Sequence, residues 1–268
     1  MLVALHASRS AASIARFRDA HPDAPVVLVL TGTDLYRDLP RDPAVRRSLA
    51  IADRVVTLQS DALAHVPPEF RAKCEVIYQS ARPLAARRRR PSRLEAIAVG
   101  HLRDEKDPRT IWRALARLDP GLDLSFRHVG DALDPALESG AREAMARDPR
   151  YRWIGPLPHG LARAAIRDAS LLVHPSKMEG GANVIVEAVL SGTPVLASRM
   201  SGNVGMLGED YPGYFPVGDD AVLAEALERL ARDRASLATL RAACRRLRAR
   251  FSPEAEKRAV RAVVARRR

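Results

Sequence analysis

Apolar and polar positions in this chain fall into a repeating order of short buried runs and amphipathic stretches. From residue 94, "LEAIAVG" reads as a strand, "PRTIWRALARL" as a helix, "LDLSFRHVG" as a strand and "DPALESGAREAMARD" as a helix. The alternation continues: "YRWIG" is strand-like, "HGLARAAIRDA" helical, "SLLVHPS" a buried strand, "ANVIVEAVL" a short helix closed by Ser191 and Gly192, and "TPVLAS" another strand. Such alternation predicts an α/β fold with a parallel, doubly wound sheet.

Upstream, "LVALHA", "APVVLVLTG", "ADRVVTLQ" and "KCEVIYQS" are four more strand candidates. The first three are followed by helical or turn segments starting near Ser8, Asp34 and Ser60. Between the two sets, "ARPLAARRRRPSR" at 81 to 93 carries two prolines and six arginines without apolar periodicity, as an interdomain linker would. Two Rossmann-like domains facing a cleft are therefore expected, 1–92 with the linker and 93–268 with a helical tail. In that tail Ser252 and Pro253 make a cap and first-turn pair.

A chain of 268 residues that is 47% hydrophobic can bury a sizeable core. No run approaches the roughly 20 apolar residues of a bilayer span, and "MLVALHASRS" lacks a basic lead and a cleavage signature. A cytoplasmic location is expected. Cys74 and Cys244 have no partners at metal-ligand or redox spacing, so neither a disulfide framework nor a zinc site is expected.

The net charge of +12 raises nucleic-acid binding, but 40 of the 44 basic residues are arginine and aromatic content is only 4%. That is too thin for a base-stacking platform, and stretches such as "RAACRRLRARF" read as solvated helix faces. The runs "RRRR" (87–90) and "RRR" (266–268) could still attract a polyanion. A basic, non-catalytic binding module is the rival reading; it predicts steeply salt-dependent association.

The chemistry centres on "KMEGGANVIVEA", where Glu179 and Glu187 stand eight positions apart. On one helix they would lie roughly 80° apart, neither stacked nor opposed. The strand–loop–helix pattern instead puts Glu179 in the loop and Glu187 inside the helix. Ligands of open α/β sheets bind outside the carboxyl ends of the strands, where this loop must lie. Gly180 and Gly181 remove side chains where the helix begins, so the backbone N–H groups from Gly180 through Ala182 to Asn183 can meet a phosphate. A carboxylate accepting from two vicinal hydroxyls suits a ribose, and a second near the phosphates can grip a sugar. Together they describe a nucleotide-sugar.

These residues resemble a known family. "VHPSKMEGGANVIVEAVLSGTPVLAS" is similar to the donor site of family 4 glycosyltransferases of the GT-B fold, and "VGHLRDEK" (99–106) to a second motif of that family. "TGTD" (31–34), "ADRVVTLQS" and "GYFPVGD" extend the resemblance over nearly the whole chain. Within the family, "ALHASRSAASIARF", "GHLRDEKDP", "MEGGANVIVEA" and "GNVGMLGEDYPGYFPVGD" look most like the selenosugar synthases of selenoneine biosynthesis. The resemblance implies transfer of a sugar from a UDP-sugar to selenophosphate, with a hydroxyl acceptor as the alternative. Arg103, Lys106 and Glu179 would be the catalytic groups. His101, Ser176, Gly180, Gly181, Ala182, Asn183 and Glu187 would bind the donor.

Several positions depart from the family pattern. His101 stands where the family has arginine, which leaves Lys106 as the matched cation and Arg103 as a stand-in. Thr31 stands where the family has histidine, removing a candidate base. A selenophosphate acceptor has little need of one, since its selenium is already anionic. Arg9, Thr31, Thr33 and Asp34 are the expected anion site for that acceptor. His6, His101 and His174 lie near the ends of different strands and read as core or polar-lining residues, so no metal and no cofactor is expected. The family's usual first strand, glycine-rich loop and helix do not precede "LVALHA", so a shortened first domain with an exposed sheet edge is expected.

Overall fold

The computed structural model describes residues 1–85 and 92–265; the arginine runs at 87–90 and 266–268 lie outside the described residues. The first domain runs β1 (Leu2–Leu5), α1 (Ala11–Ala20), β2 (Val26–Val29), α2 (Pro43–Ile51), β3 (Arg54–Thr57), α3 (Ala62–His65), α4 (Pro68–Arg71) and β4 (Cys74–Val76). Its strands are parallel and lie in the order β1-β2-β3-β4. A parallel strand covered on both faces loses the alternation of a half-exposed one. Hence β2 reads Val-Val-Leu-Val and is almost wholly buried. By contrast β1 is a sheet edge, and its Val3 and Leu5 are 54% and 62% exposed.

The second domain runs β5 (Leu94–Val99), α5 (Pro108–Arg117), β6 (Leu124–Val129), α6 (Pro135–Arg147), β7 (Tyr151–Trp153), α7 (His159–Asp168), β8 (Leu171–His174), α8 (Asn183–Ser191) and β9 (Val195–Ser198). It continues through α9 (Ser201–Leu207), β10 (Tyr214–Phe215), α10 (Asp220–Arg232), α11 (Arg234–Leu247) and α12 (Pro253–Ala265). Its sheet has the order β10-β9-β8-β5-β6-β7. The chain thus leaves β5 toward β7, returns to pair β8 beside β5, and continues the other way. That reversal opens a crevice past the carboxyl ends of β5 and β8, the place where open α/β sheets hold ligands.

Each sheet has its own core. Ile14, Leu28, Val45, Leu49 and Val55 pack in the first, and Ile97, Phe126, Leu172 and Ile185 in the second. The GT-B architecture read from the sequence is the one observed. Neither α9 nor β10 follows from the apolar periodicity.

The helical tail divides between the domains. While α10 and α11 pack on the second core, Val263 of α12 packs with Val27, Val56 and Ile77 of the first sheet. Burying such a valine stabilises by about 1.5 kcal/mol. Glu256 also accepts from the backbone N–H (3.1 Å) and hydroxyl (2.5 Å) of Ser80, and Arg54 donates to the Val263 carbonyl. A carboxy-terminal helix within the expected second domain, 93–268, thus crosses back to the first sheet. The expected cap is present: Ser252 Oγ accepts from the Ala255 N–H at 3.2 Å.

Candidate functional site

The turn after β5 brings the first charge into the crevice. Gly100 has no side chain, and the Lys106 stem lies 3.5 Å from where its Cβ would be. A short helical turn, Asp104–Lys106, ends at Asp107, whose φ of 45° is left-handed and whose carboxylate accepts from Thr110 Oγ1 at 2.6 Å. Lys106 Nζ is thereby aimed at the loop after β8, 2.5 Å from Glu179 Oε1.

On the facing side, His174 ends β8 with its Nε2 3.3 Å from the same Glu179 oxygen. Burial alone raises the Glu179 pKa; His174 and the Lys106 ammonium outweigh it and hold the carboxyl well below the usual carboxylate range. Burial also pushes the His174 imidazole down, against the pull of Glu179. We therefore take His174 as neutral, with Lys106 as the cation that keeps Glu179 ionised. The Glu179 backbone sits tightly too: a Cβ on Gly202, at the start of α9, would lie 2.2 Å from its carbonyl oxygen.

Beyond Glu179 the chain turns into α8, whose N-cap, Ala182, offers no side-chain acceptor. The N–H groups of Gly180, Gly181, Ala182 and Asn183 donate to no protein acceptor among the described residues. These amides and the positive end of the helix dipole are thus left without protein acceptors at the start of α8. The helix ends as the sequence predicts, on Gly192 with φ +83°. One turn inside α8, Glu187 is buried, and its Oε1 lies 2.7 Å from His159 Nε2 and 3.7 Å from Arg163 Nε.

Both glycines of this loop are demanded by the first domain. A Cβ on Gly180 would lie 2.2 Å from the Thr31 carbonyl oxygen, and one on Gly32, with φ +119°, would lie 2.6 Å from the Gly180 nitrogen. A Cβ on Gly181 would meet Leu58 at 2.8 Å. The loop is pressed backbone to backbone against the turn that carries the expected acceptor residues. Nearby, the Tyr36 hydroxyl lies 3.1 Å from Ser201 Oγ and accepts from Gln59 Nε2 at 2.7 Å, a second tie between the domains.

Three of the expected site residues have contacts within the protein. Asp34 is fully buried; its carboxylate accepts from the N–H groups of Ala7, Thr31, Gly32 and Leu35 at 2.8 to 3.2 Å. It staples the turn and has no face left for an acceptor. Ser176 is also fully buried; its carbonyl accepts from Ser198 Oγ at 2.5 Å, and its own Oγ has no hydrogen-bond partner among the described residues. Exposed His101 accepts the Asp131 N–H on Nδ1 at 3.0 Å, fixing the turn after β5.

The remaining positions fall in two groups. Lys106, Glu179, Gly180, Gly181, Ala182, Asn183 and Glu187 come together, with exposed Arg103 on the adjoining turn. Across the cleft, Thr33 Oγ1 lies 3.0 Å from His6 Nε2, Thr31 Oγ1 is 3.4 Å from Asp34, and the Arg9 side chain is exposed. His6 has φ 70°, a conformation costly for a residue with a Cβ. His159 and Arg163 escape a sequence reading altogether, because no local pattern ties them to Glu187. The position of His174 directly before Pro175 and Ser176 in the donor motif is the one signal that could have singled it out.

Among the described residues no group of three His, Cys, Asp or Glu could hold a metal ion, and no helix is long and apolar enough to cross a membrane. A cavity of about 620 Å³ lies apart, between α5 and α6. The arginines on its wall are already paired: Arg109 with Asp104, Arg113 with Asp220, Arg147 with Glu143 and Arg150 with Asp148.

Known proteins share this architecture and much of this sequence. The 2-deoxystreptamine glucosyltransferase of Streptomyces kanamyceticus is 36% identical over 148 residues, covering 54% of this chain and 38% of that protein. The 2-deoxystreptamine N-acetyl-D-glucosaminyltransferase of Streptomyces fradiae is 30% identical over 206 residues, 68% of this chain and 48% of that one. This chain thus spans half or less of the length of these relatives. The crystal structure of Anabaena HepE in complex with UDP-glucose superimposes with a TM-score of 0.76 at 17% identity, over 97% of this chain and 77% of HepE. Residues 93–233 match the family model described as glycosyl transferases group 1, just over half of the chain. The chain belongs to that family.

Proposed function

We propose that this protein transfers a sugar from a UDP-sugar, with UDP-N-acetylglucosamine as the donor to test first. One observation carries the donor reading: the ionised Lys106–Glu179 pair stands beside four unfilled amides, with Glu187 one turn further along the same helix. The amides of Gly180 to Asn183 would cradle the diphosphate, and Lys106 with Arg103 would neutralise its charge as it leaves. Glu179 would accept from a sugar hydroxyl and Glu187 from the ribose. That HepE holds UDP-glucose and that a relative is an N-acetyl-D-glucosaminyltransferase both support this assignment.

For the acceptor we propose selenophosphate. Its anionic selenium would attack the anomeric carbon; the carbon–selenium bond forms as the bond from that carbon to the UDP oxygen breaks. Support comes from the sequence resemblance and from Thr31, which offers no imidazole to remove a proton from a hydroxyl acceptor. Arg9 would supply the cation facing it. Mass spectrometry of the products from UDP-N-acetylglucosamine with selenophosphate, and separately with 2-deoxystreptamine, tests the choice. A sugar–selenium product is expected. UDP release with glycosylated deoxystreptamine and no selenium product would replace the acceptor while leaving the donor reading intact.

A further inference from the structure

We infer that His159 is a positioning residue for the donor, locking one oxygen of Glu187 so that the rest of the carboxylate is presented to the vicinal hydroxyls of a ribose. The inference rests on the donor reading above and adds a residue to it.

Three observations carry it. First, the contact is aimed at one atom: His159 Nε2 lies 2.7 Å from Glu187 Oε1, and Arg163 Nε, four residues along α7, lies 3.7 Å from that same oxygen. Glu187 Oε2 has no hydrogen-bond partner among the described residues. That oxygen is not sealed from the surface, so it stands open to a donor from outside the protein, and a 2′,3′-diol has two. Second, burial is lopsided: the His159 side chain is 78% exposed and that of Glu187 only 7%. An imidazole so exposed adds little to packing, so holding the carboxylate is its main contact. Third, the approach is rigid. Pro156 and Pro158 lead into α7, and Pro158 sits at φ −51°, ψ 141°, so His159 is delivered to the rim with little backbone freedom.

The physical consequence is preorganisation. The terminal torsion of a glutamate is broad, and freezing it before the ligand arrives removes an ordering cost from binding. Arg163 assists from below. Its Nη2 donates to the Arg82 carbonyl in the linker, while its Nε is buried with no hydrogen-bond partner, a spare donor next to Glu187.

Calorimetric titration of UDP and of 2′,3′-dideoxyuridine diphosphate into the wild type, His159→Ala, His159→Gln and Glu187→Ala tests this. His159→Ala should weaken UDP about tenfold, and His159→Gln, which keeps an N–H donor, should recover most of that. The dideoxy compound should bind wild type and His159→Ala alike, and melting temperatures should match. In turnover the donor KM should rise while kcat holds. Unchanged or tighter UDP binding in His159→Ala, beside a clear loss in Glu187→Ala, overturns the inference. So does an equal loss for both nucleotides. Failure of the wild type to bind UDP at all would instead overturn the donor reading.

Discussion

The two walls of the cleft use similar residues in opposite ways. On the second-domain wall, Lys106 pairs with Glu179, Glu187 meets His159, and the amides of 180–183 have no partner among the described residues. On the first-domain wall, the polar groups of "TGTD" are spent internally: Asp34 gathers four amides and His6 is occupied by Thr33. A carboxylate ringed by backbone N–H groups is architecture; one facing a cation and empty amides is equipped for a ligand. Polar residue types alone do not distinguish the two cases.

Substitutions can break or sharpen that contrast. The largest effect is expected from Lys106→Met, which removes the cation beside Glu179 and beside the proposed leaving group. Its kcat with UDP-sugar should fall about 10³-fold, as when a preorganised charge-stabilising group is lost; a rise in KM alone would put Lys106 outside the chemistry.

Next, Asp34→Ala should cost about 3 kcal/mol, because the amides of Ala7, Thr31, Gly32 and Leu35 lose their acceptor together. Thermal melting would register this as a loss of stability. If the variant instead melted normally and lost only acceptor turnover, the two walls would be alike after all.

Acid should also separate the domains. His128, in the second core beside the Tyr151 hydroxyl at 3.1 Å, is lowered by burial to about 4. An unfolded histidine takes up its proton near pH 6.5 and this one only near 4, so the unfolded state binds more protons between those values. Stability is therefore full above pH 6.5 and should decline by roughly 2 to 3 kcal/mol as pH falls to 4. Depressed His174 and Glu179 act in the same direction, Glu179 only below the usual carboxylate range. Hydrogen exchange across this range should show the second domain opening first, and His128→Gln should flatten the slope. Equal loss of protection in both domains would contradict this.

The smallest effect is expected from Gly180→Ala. Its methyl would meet the Thr31 carbonyl, so the walls must part by about an ångström and the donor KM should rise about tenfold. Unchanged kinetics would mean that the two backbones do not meet during turnover.

Much of this was legible in the sequence where the signal is local. Buried runs such as "VVLV" and "LLVH" mark strands covered on both faces, and Gly192 marks the end of α8. The loop position of Glu179 and the helical position of Glu187 follow from the same alternation. What escaped is non-local. The role of Asp34 depends on the Ala7 amide 27 residues away, and Glu187 meets His159 across 28 residues and two elements. The return of α12 to the first sheet depends on Glu256 meeting Ser80 and on Val263 fitting among Val27, Val56 and Ile77. No periodicity within α12 announces which sheet it will cover.

That return has a mechanical outcome. The chain passes between the two sheets twice, once between β4 and β5 and once just before α12, like a door hung on two pins. Two such pins are expected to confine relative rotation of the sheets to a single axis through both. Paired spin labels on α2 and α6 should report one coordinated distance change between nucleotide-free and nucleotide-loaded protein; a broad spread of distances would mean that one pin is loose.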